Sequence, residues 1–167
     1  MAEDAAGSGE AGVESRELLI DQTAQDLLAP EVENVLQSVR TGEARARFLA
    51  LQAAVGAGRV PEACLPALEQ LLALGIETGR FEKVHGRAAD TLARGLFART
   101  PAGRDRAAQA AAVSSALSAL QGAVISGLAF AADGPGAHRL TIETDRGEML
   151  VRIDRSGVRV DSVGVGA

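Results

Sequence analysis

Few side chains in this 167-residue chain belong to the types that perform covalent or acid–base chemistry: one cysteine, two histidines, and neither tyrosine nor tryptophan. Cys64 falls in the first turn of an expected helix, where the helix dipole can favour a reactive thiolate. Its leucine and alanine neighbours read more simply as the setting of a small core residue. His85, in KVHGRAAD, and His138 have no triad partners around them. Two histidines with one cysteine at separations of 21 and 53 residues do not match a zinc site. Gly7-Ser8-Gly9-Glu10-Ala11-Gly12 spells the three-glycine dinucleotide pattern, but that pattern works only where a strand delivers the glycines and a helix N-terminus receives the pyrophosphate. Here the surroundings are acidic and no strand precedes it. Glu31/Glu33 and Glu77/Glu82 are paired carboxylates with nothing nearby to shift them, and so are read as surface charge. P-loop, GxSxG and HExxH motifs are absent. No catalytic, metal-binding or cofactor-binding residue emerges.

Charge is the stronger signal. The net value is −5, unevenly spread. Residues 1–40 hold nine acids against two bases, whereas residues 80–106 hold seven bases against three acids. Within the basic stretch, Arg99, Arg104 and Arg106 surround a Thr100-Pro101-Ala102-Gly103 turn that leads into a helix. Backbone amides and guanidinium groups could hold a small anion in such a place. The competing reading docks these arginines on the acidic N-terminal helix or leaves them solvated. Nucleic-acid binding is disfavoured by the net acidity and by the scarcity of aromatic rings for base stacking.

The elements that would position these residues follow from periodicity. Residues 1–14 are small, acidic and interrupted by glycine, and are expected to be a disordered tail. Helical spacing then predicts a first helix over about 15–28 up to Pro30, and a second over about 31–40. A third, with Thr41 as its cap, covers about 43–56. A fourth runs from Pro61 to a Gly75 cap. Residues 76–86 read as a loop anchored by Ile76, Phe81 and Val84. Helices over about 87–99 and 102–121 follow. The last is small nearly all round, and is expected to be central, with Leu117 buried.

After Gly122 the period falls to two, and short turns separate four strands of an antiparallel meander. Placing Thr144 opposite Met149 gathers Leu140, Ile142, Met149, Val151 and Ile153 on one face. Placing Ile153 opposite Val160 sets Asp154 against Arg159 and Arg152 against Asp161, which favours this register. The same register puts Leu150 opposite Val163 on the charged face, a small apolar patch with a polar rim that would suit a protein interface.

The sequence therefore implies an α+β fold: a helical N-terminal two-thirds of about five helices, 15–121, packed on a four-stranded meander, 123–165, in one domain over 15–167. The N-terminus has neither signal nor transit character, and no apolar run is long enough for a membrane span. With a single thiol and an Ala-, Gly- and Arg-rich composition, a bacterial cytoplasm is the expected setting. The shortage of catalytic side chains leads to a non-enzymatic protein-interaction module, an adaptor, chaperone-like factor or assembly subunit, meeting a protein partner or a second copy. The alternatives are a regulatory domain binding an anion at the Arg99–Arg106 turn, and an accessory subunit whose enzymatic site a partner completes.

Overall fold

The computed structural model describes residues 17–40 and 42–165; the expected N-terminal tail, the three-glycine pattern and Thr41 lie outside them. Among the described residues, six α-helices precede a four-stranded antiparallel sheet, an α+β arrangement. The chain divides between Ala93 and Arg94 into two compact units.

In the first unit, Leu18 and Leu19 are not helical. They form a short strand β1 (Leu18–Leu19) that pairs with β2 (Arg59–Val60), which buries Leu18 and Val60. Asp21 then caps α1 (Gln22–Ser38) by accepting the Ala24 N–H at 2.8 Å. The two helices expected on either side of Pro30 are one, because α1 runs straight through that residue. The buried series Ala24, Leu27, Leu28, Glu31, Val32, Leu36 keeps helical phase across the proline, whose own ring is exposed. Burying several large aliphatic side chains, at about 1.5–3 kcal/mol each, outweighs the roughly 3 kcal/mol that an interior proline costs. After α1 the Arg45 guanidinium donates to the carbonyls of Leu36 and Val39 at 2.6 and 2.9 Å, satisfying acceptors at the helix end.

Helix α2 (Glu43–Gly56) has the expected bounds and packs beside α1, with Phe48, Leu51 and Val55 buried. A 3₁₀ turn (Glu62–Cys64) leads into α3 (Leu65–Glu77), which holds Pro66 in its first turn as expected. Gly75 does not end α3. It is buried within the last turn because the Phe81 ring lies on it: a Cβ there would stand 2.3 Å from Phe81 Cε2. The expected loop over 76–86 is largely a short helix α4 (Arg80–His85), set between Gly79 (φ 64°) and Gly86 (φ 87°) in left-handed or positive-φ conformations. Phe81 anchors it, whereas Val84 is exposed.

Helix α5 (Arg87–Arg99) spans the division between the units. In the second unit, Thr100 caps α6 (Pro101–Ala119), accepting the Gly103 N–H at 3.2 Å with Pro101 as first helical residue. Gly103 lets this corner close, since a Cβ there would lie 1.9 Å from the Phe97 carbonyl oxygen. The sheet follows as β3 (Ile125–Ala132), β4 (His138–Thr144), β5 (Gly147–Asp154) and β6 (Gly157–Val165), in that spatial order. Val113, Ala116 and Leu120 of α6 pack on Ile142, Met149 and Val151. Leu117, expected in this core, is 43% exposed, because position 117 falls roughly 65° round the helix from the centre of the contact stripe at 113, 116 and 120, at its rim. Of the α6 residues only Gly103 is buried, so the alanine-rich faces are not packed all round.

The expected sheet faces are present, but the expected partners are not. Thr144 pairs with Gly147 and Ile142 with Met149, two residues tighter than expected. The reason is the turn at Asp145-Arg146, closed by the Thr144 hydroxyl, which donates to the Gly147 carbonyl at 2.9 Å and accepts from the Arg146 N–H at 3.2 Å. Similarly Ile153 pairs with Val158, across a turn in which Asp154 accepts the Ser156 N–H. A slip of two preserves faces because the strand period is two. A bulge between Leu150 and Val151 then moves the β5–β6 register back by one residue.

Candidate functional site

Val163 shows the consequence of that bulge. It pairs with Met149 on the helix-packed face, while Leu150 pairs with Ser162 on the other. The patch expected from Leu150 opposite Val163 therefore does not form; Leu150 is half-buried and Val163 is 46% exposed, on opposite sides of the sheet. The charged face is also rearranged. Arg139, Arg152 and Arg159 lie directly across from one another on three strands. Their repulsion is offset diagonally. Asp133 takes Arg139 and Arg152, each at 2.7 Å, and Arg159 reaches Asp154 at 3.1 Å and Asp161 at 3.8 Å. Hydrogen bonding from Arg139, with the positive fields of Arg139 and Arg152, holds the Asp133 carboxyl below its ordinary range despite some desolvation. The Ser156 hydroxyl and N–H do the same for Asp154.

The helix-packed face continues beyond the helix. Leu128 and Phe130 on β3 stand directly across from Ile142 and Leu140 and so share their face, yet they are 65% and 64% exposed. Phe130 is held in place by His138, whose ring stacks on it at 5.2 Å between centroids and 11° between planes. Strand β3 is also an edge of the sheet, with β4 its only strand neighbour among the described residues. Residues Ile125–Ala132 contain no charge and no proline. Strand β6, at the other edge, carries Arg159, Asp161 and the bulge, features that discourage strand addition.

At the α5–α6 corner, two of the three arginines singled out from the sequence, Arg104 and Arg106, engage the chain's own groups. Arg104 Nη2 donates to the Arg99 carbonyl at 2.9 Å. The Arg106 guanidinium lies over the Phe97 ring, 5.0 Å from its centroid, and Nη2 approaches the Arg155 carbonyl at 3.5 Å. The Gly103 amide is taken by the Thr100 hydroxyl. Cys64 is a buried free thiol between the 3₁₀ turn and α3.

Glu31, expected as surface charge, is 3% exposed. It accepts from Arg80 Nε at 2.5 Å and from His85 Nε2 at 2.8 Å, so α4 is tied to α1 at both of its ends. Burial by itself would raise the Glu31 carboxyl. The hydrogen bonds and charges of Arg80 and His85 outweigh burial and hold it below the ordinary glutamate range. The signal for this cluster lay in the α1 periodicity, since position 31 falls on the buried stripe as soon as the helix is allowed through Pro30. The described part of the first unit also has an apolar pocket of about 180 Å³ lined in part by Val35, Phe48, Leu71 and Leu74. That is smaller than the ~300 Å³ at which ligand sites usually begin. Among the described residues, no group of three metal-ligating side chains converges and no helix is long and apolar enough to cross a membrane.

Comparison with protein-family models, with curated proteins and with solved structures finds no match to this chain.

Proposed function

We propose that this chain is a non-enzymatic protein-interaction module that meets its partner along the β3 side of its sheet. One observation carries the reading: the apolar face that α6 covers over β4 to β6 continues uncovered onto β3, where Leu128 and Phe130 stay about two-thirds exposed. Large adjacent apolar side chains on an uncharged edge strand are costly in water and favour association. A bacterial cytoplasm, inferred from composition and the single buried thiol, is part of the same reading. Anion binding at Arg99, Arg104 and Arg106 is less well supported, because an anion would compete with the contacts Arg104 and Arg106 already make.

The test compares the wild-type chain with Phe130→Glu as immobilised bait in extract of the source cells. Phe130 is exposed, so the variant keeps its fold. A protein identified by mass spectrometry, retained by wild type, lost with Phe130→Glu and rebound in purified form supports the reading. Identical retention by the two baits overturns it.

A further inference from the structure

We infer that the occupant of the β3 edge is a second copy of this chain, joined by antiparallel β3–β3 pairing about a twofold axis at Ala129. This rests on the interaction-module reading and supplies its partner. Antiparallel pairing across a twofold axis brings residues of equal parity together, so an axis at Ala129 sets Leu128 opposite Phe130 of the second copy and Gly127 opposite Ala131. The four large apolar side chains then share one patch on the helix-packed face.

Charge on the other face selects this axis. Glu143 lies across from Gly127 and Arg139 across from Ala131, two residues to either side of the Ala129–Thr141 pair. The Glu143 carboxylate leans outward over Gly127: a Cβ at that glycine would meet Glu143 Oε2 at 2.6 Å. It is therefore aimed at the open edge. Among the described residues Glu143 has no ion-pair partner, and Glu148, also acidic, stands directly across from it on β5. Pairing about Ala129 continues each Gly127–Glu143 row into the second copy's Ala131–Arg139 row. Glycine and alanine leave the space between the two charges clear. The backbones bearing Glu143 and the second copy's Arg139 are then three strand spacings apart, ~14 Å. A glutamate leaning over one strand and an arginine leaning back over the other bridge that span. Arg139 uses one N–H on Asp133, so its other donors remain to meet the glutamate. Two symmetric ion pairs thus flank the axis, and each relieves the Glu143–Glu148 repulsion. An axis at Leu128 or Phe130 would offset these rows and lose both pairs.

The test is sedimentation equilibrium of the full chain from micromolar to near-millimolar concentration. Wild type should dimerise, and Glu143→Arg and Arg139→Glu should each weaken self-association by at least about tenfold. Mixing the two single variants should restore association as a heterodimer, since each then meets its opposite charge at both contacts. A misfolded variant could not be rescued in this way. Independently, Ala129→Cys should form a disulfide-linked dimer with oxidised glutathione, because directly opposed strand residues lie within disulfide range and Cys64 is buried. The inference is overturned by a wild-type chain that stays monomeric, by single variants that dimerise like wild type, by a mixture no better than its components, or by an Ala129→Cys chain that does not cross-link. If wild type is monomeric while Phe130→Glu still loses a purified protein partner, the interaction module stands and only the second copy falls.

Discussion

Replacing Glu31 with glutamine keeps the shape of a buried side chain and removes its charge. In the native protein both carboxylate oxygens are engaged, Oε2 by Arg80 and Oε1 by His85. A hydrogen bond to a charged group is worth about 1.5–3 kcal/mol. Glutamine keeps its carbonyl as an acceptor for Arg80 and sets its NH2 group against His85 Nε2, which must take the accepting tautomer to keep that contact, so both bonds lose the charge that strengthens them. The Arg80 side chain is 42% exposed and regains water, which places the expected loss near ~2 kcal/mol rather than the ~3–5 kcal/mol of a fully stranded buried charge. Urea unfolding followed by circular dichroism measures it as a lower midpoint at unchanged slope. The pH dependence provides a second check. Because the folded Glu31 pKa is depressed, its contribution is fully present above the unfolded value of ~4.3 and is lost as pH falls from there through the folded value. The gap between wild type and Glu31→Gln should therefore hold from pH 7 to about pH 5 and narrow below about pH 4. A variant within ~0.5 kcal/mol of wild type at pH 7, or a gap that does not narrow in acid, would refute the account of Glu31 as an ionised tether for α4.

In the second unit, Met149→Ala should cost about 2–5 kcal/mol, because Met149 is wholly buried under α6, whereas Leu117→Ala should cost less than ~1 kcal/mol; the same urea titration ranks them, and equal losses would contradict the packing stripe at 113, 116 and 120. Gly103→Ala should destabilise by more than ~2 kcal/mol, since its Cβ would collide with the Phe97 carbonyl and force the α5–α6 corner apart; a melting temperature unchanged from wild type would show that the corner opens freely.

What the sequence made legible was the alternation of faces and the bounds of elements that have clear ends. Helix α2 ends at the expected Gly56, and α5 spans its expected residues. The failures occurred where a local rule was overridden by a contact distant in sequence. Pro30 reads as a stop until the stripe on both sides of it is seen to be buried together. Gly75 reads as a cap until Phe81, six residues later, is found lying on it. Glu31 reads as surface until Arg80 and His85 arrive from α4. The arginines at 99, 104 and 106 read as a cluster, but a carbonyl and a phenyl ring close at hand draw Arg104 and Arg106 in separate directions.

The sheet shows most clearly which errors of register matter. Both hairpin turns are tighter than expected, and each slip is of two residues, so every inward residue of β4, of β5 and of β6 as far as Val160 stays inward. Cross-strand charge pairing is a weaker guide than face, because long side chains reach diagonal partners: Arg159 bonds Asp154 even though Gly157 stands opposite that aspartate. The bulge beside Leu150 is an odd shift, and it alone moves Val163 to the other face. It also sets the character of the two edges. β6, interrupted by the bulge and bearing Arg159 and Asp161, discourages a further strand, whereas β3 keeps a regular register from Gly127 to Ala132, after an irregularity between Ile125 and Gly127, and carries no charge. With one edge guarded and the other bare, the association we propose has only β3 to use, and a single bare edge can complete only one pairing. On that proposal, assembly should end at two chains instead of growing into a fibre.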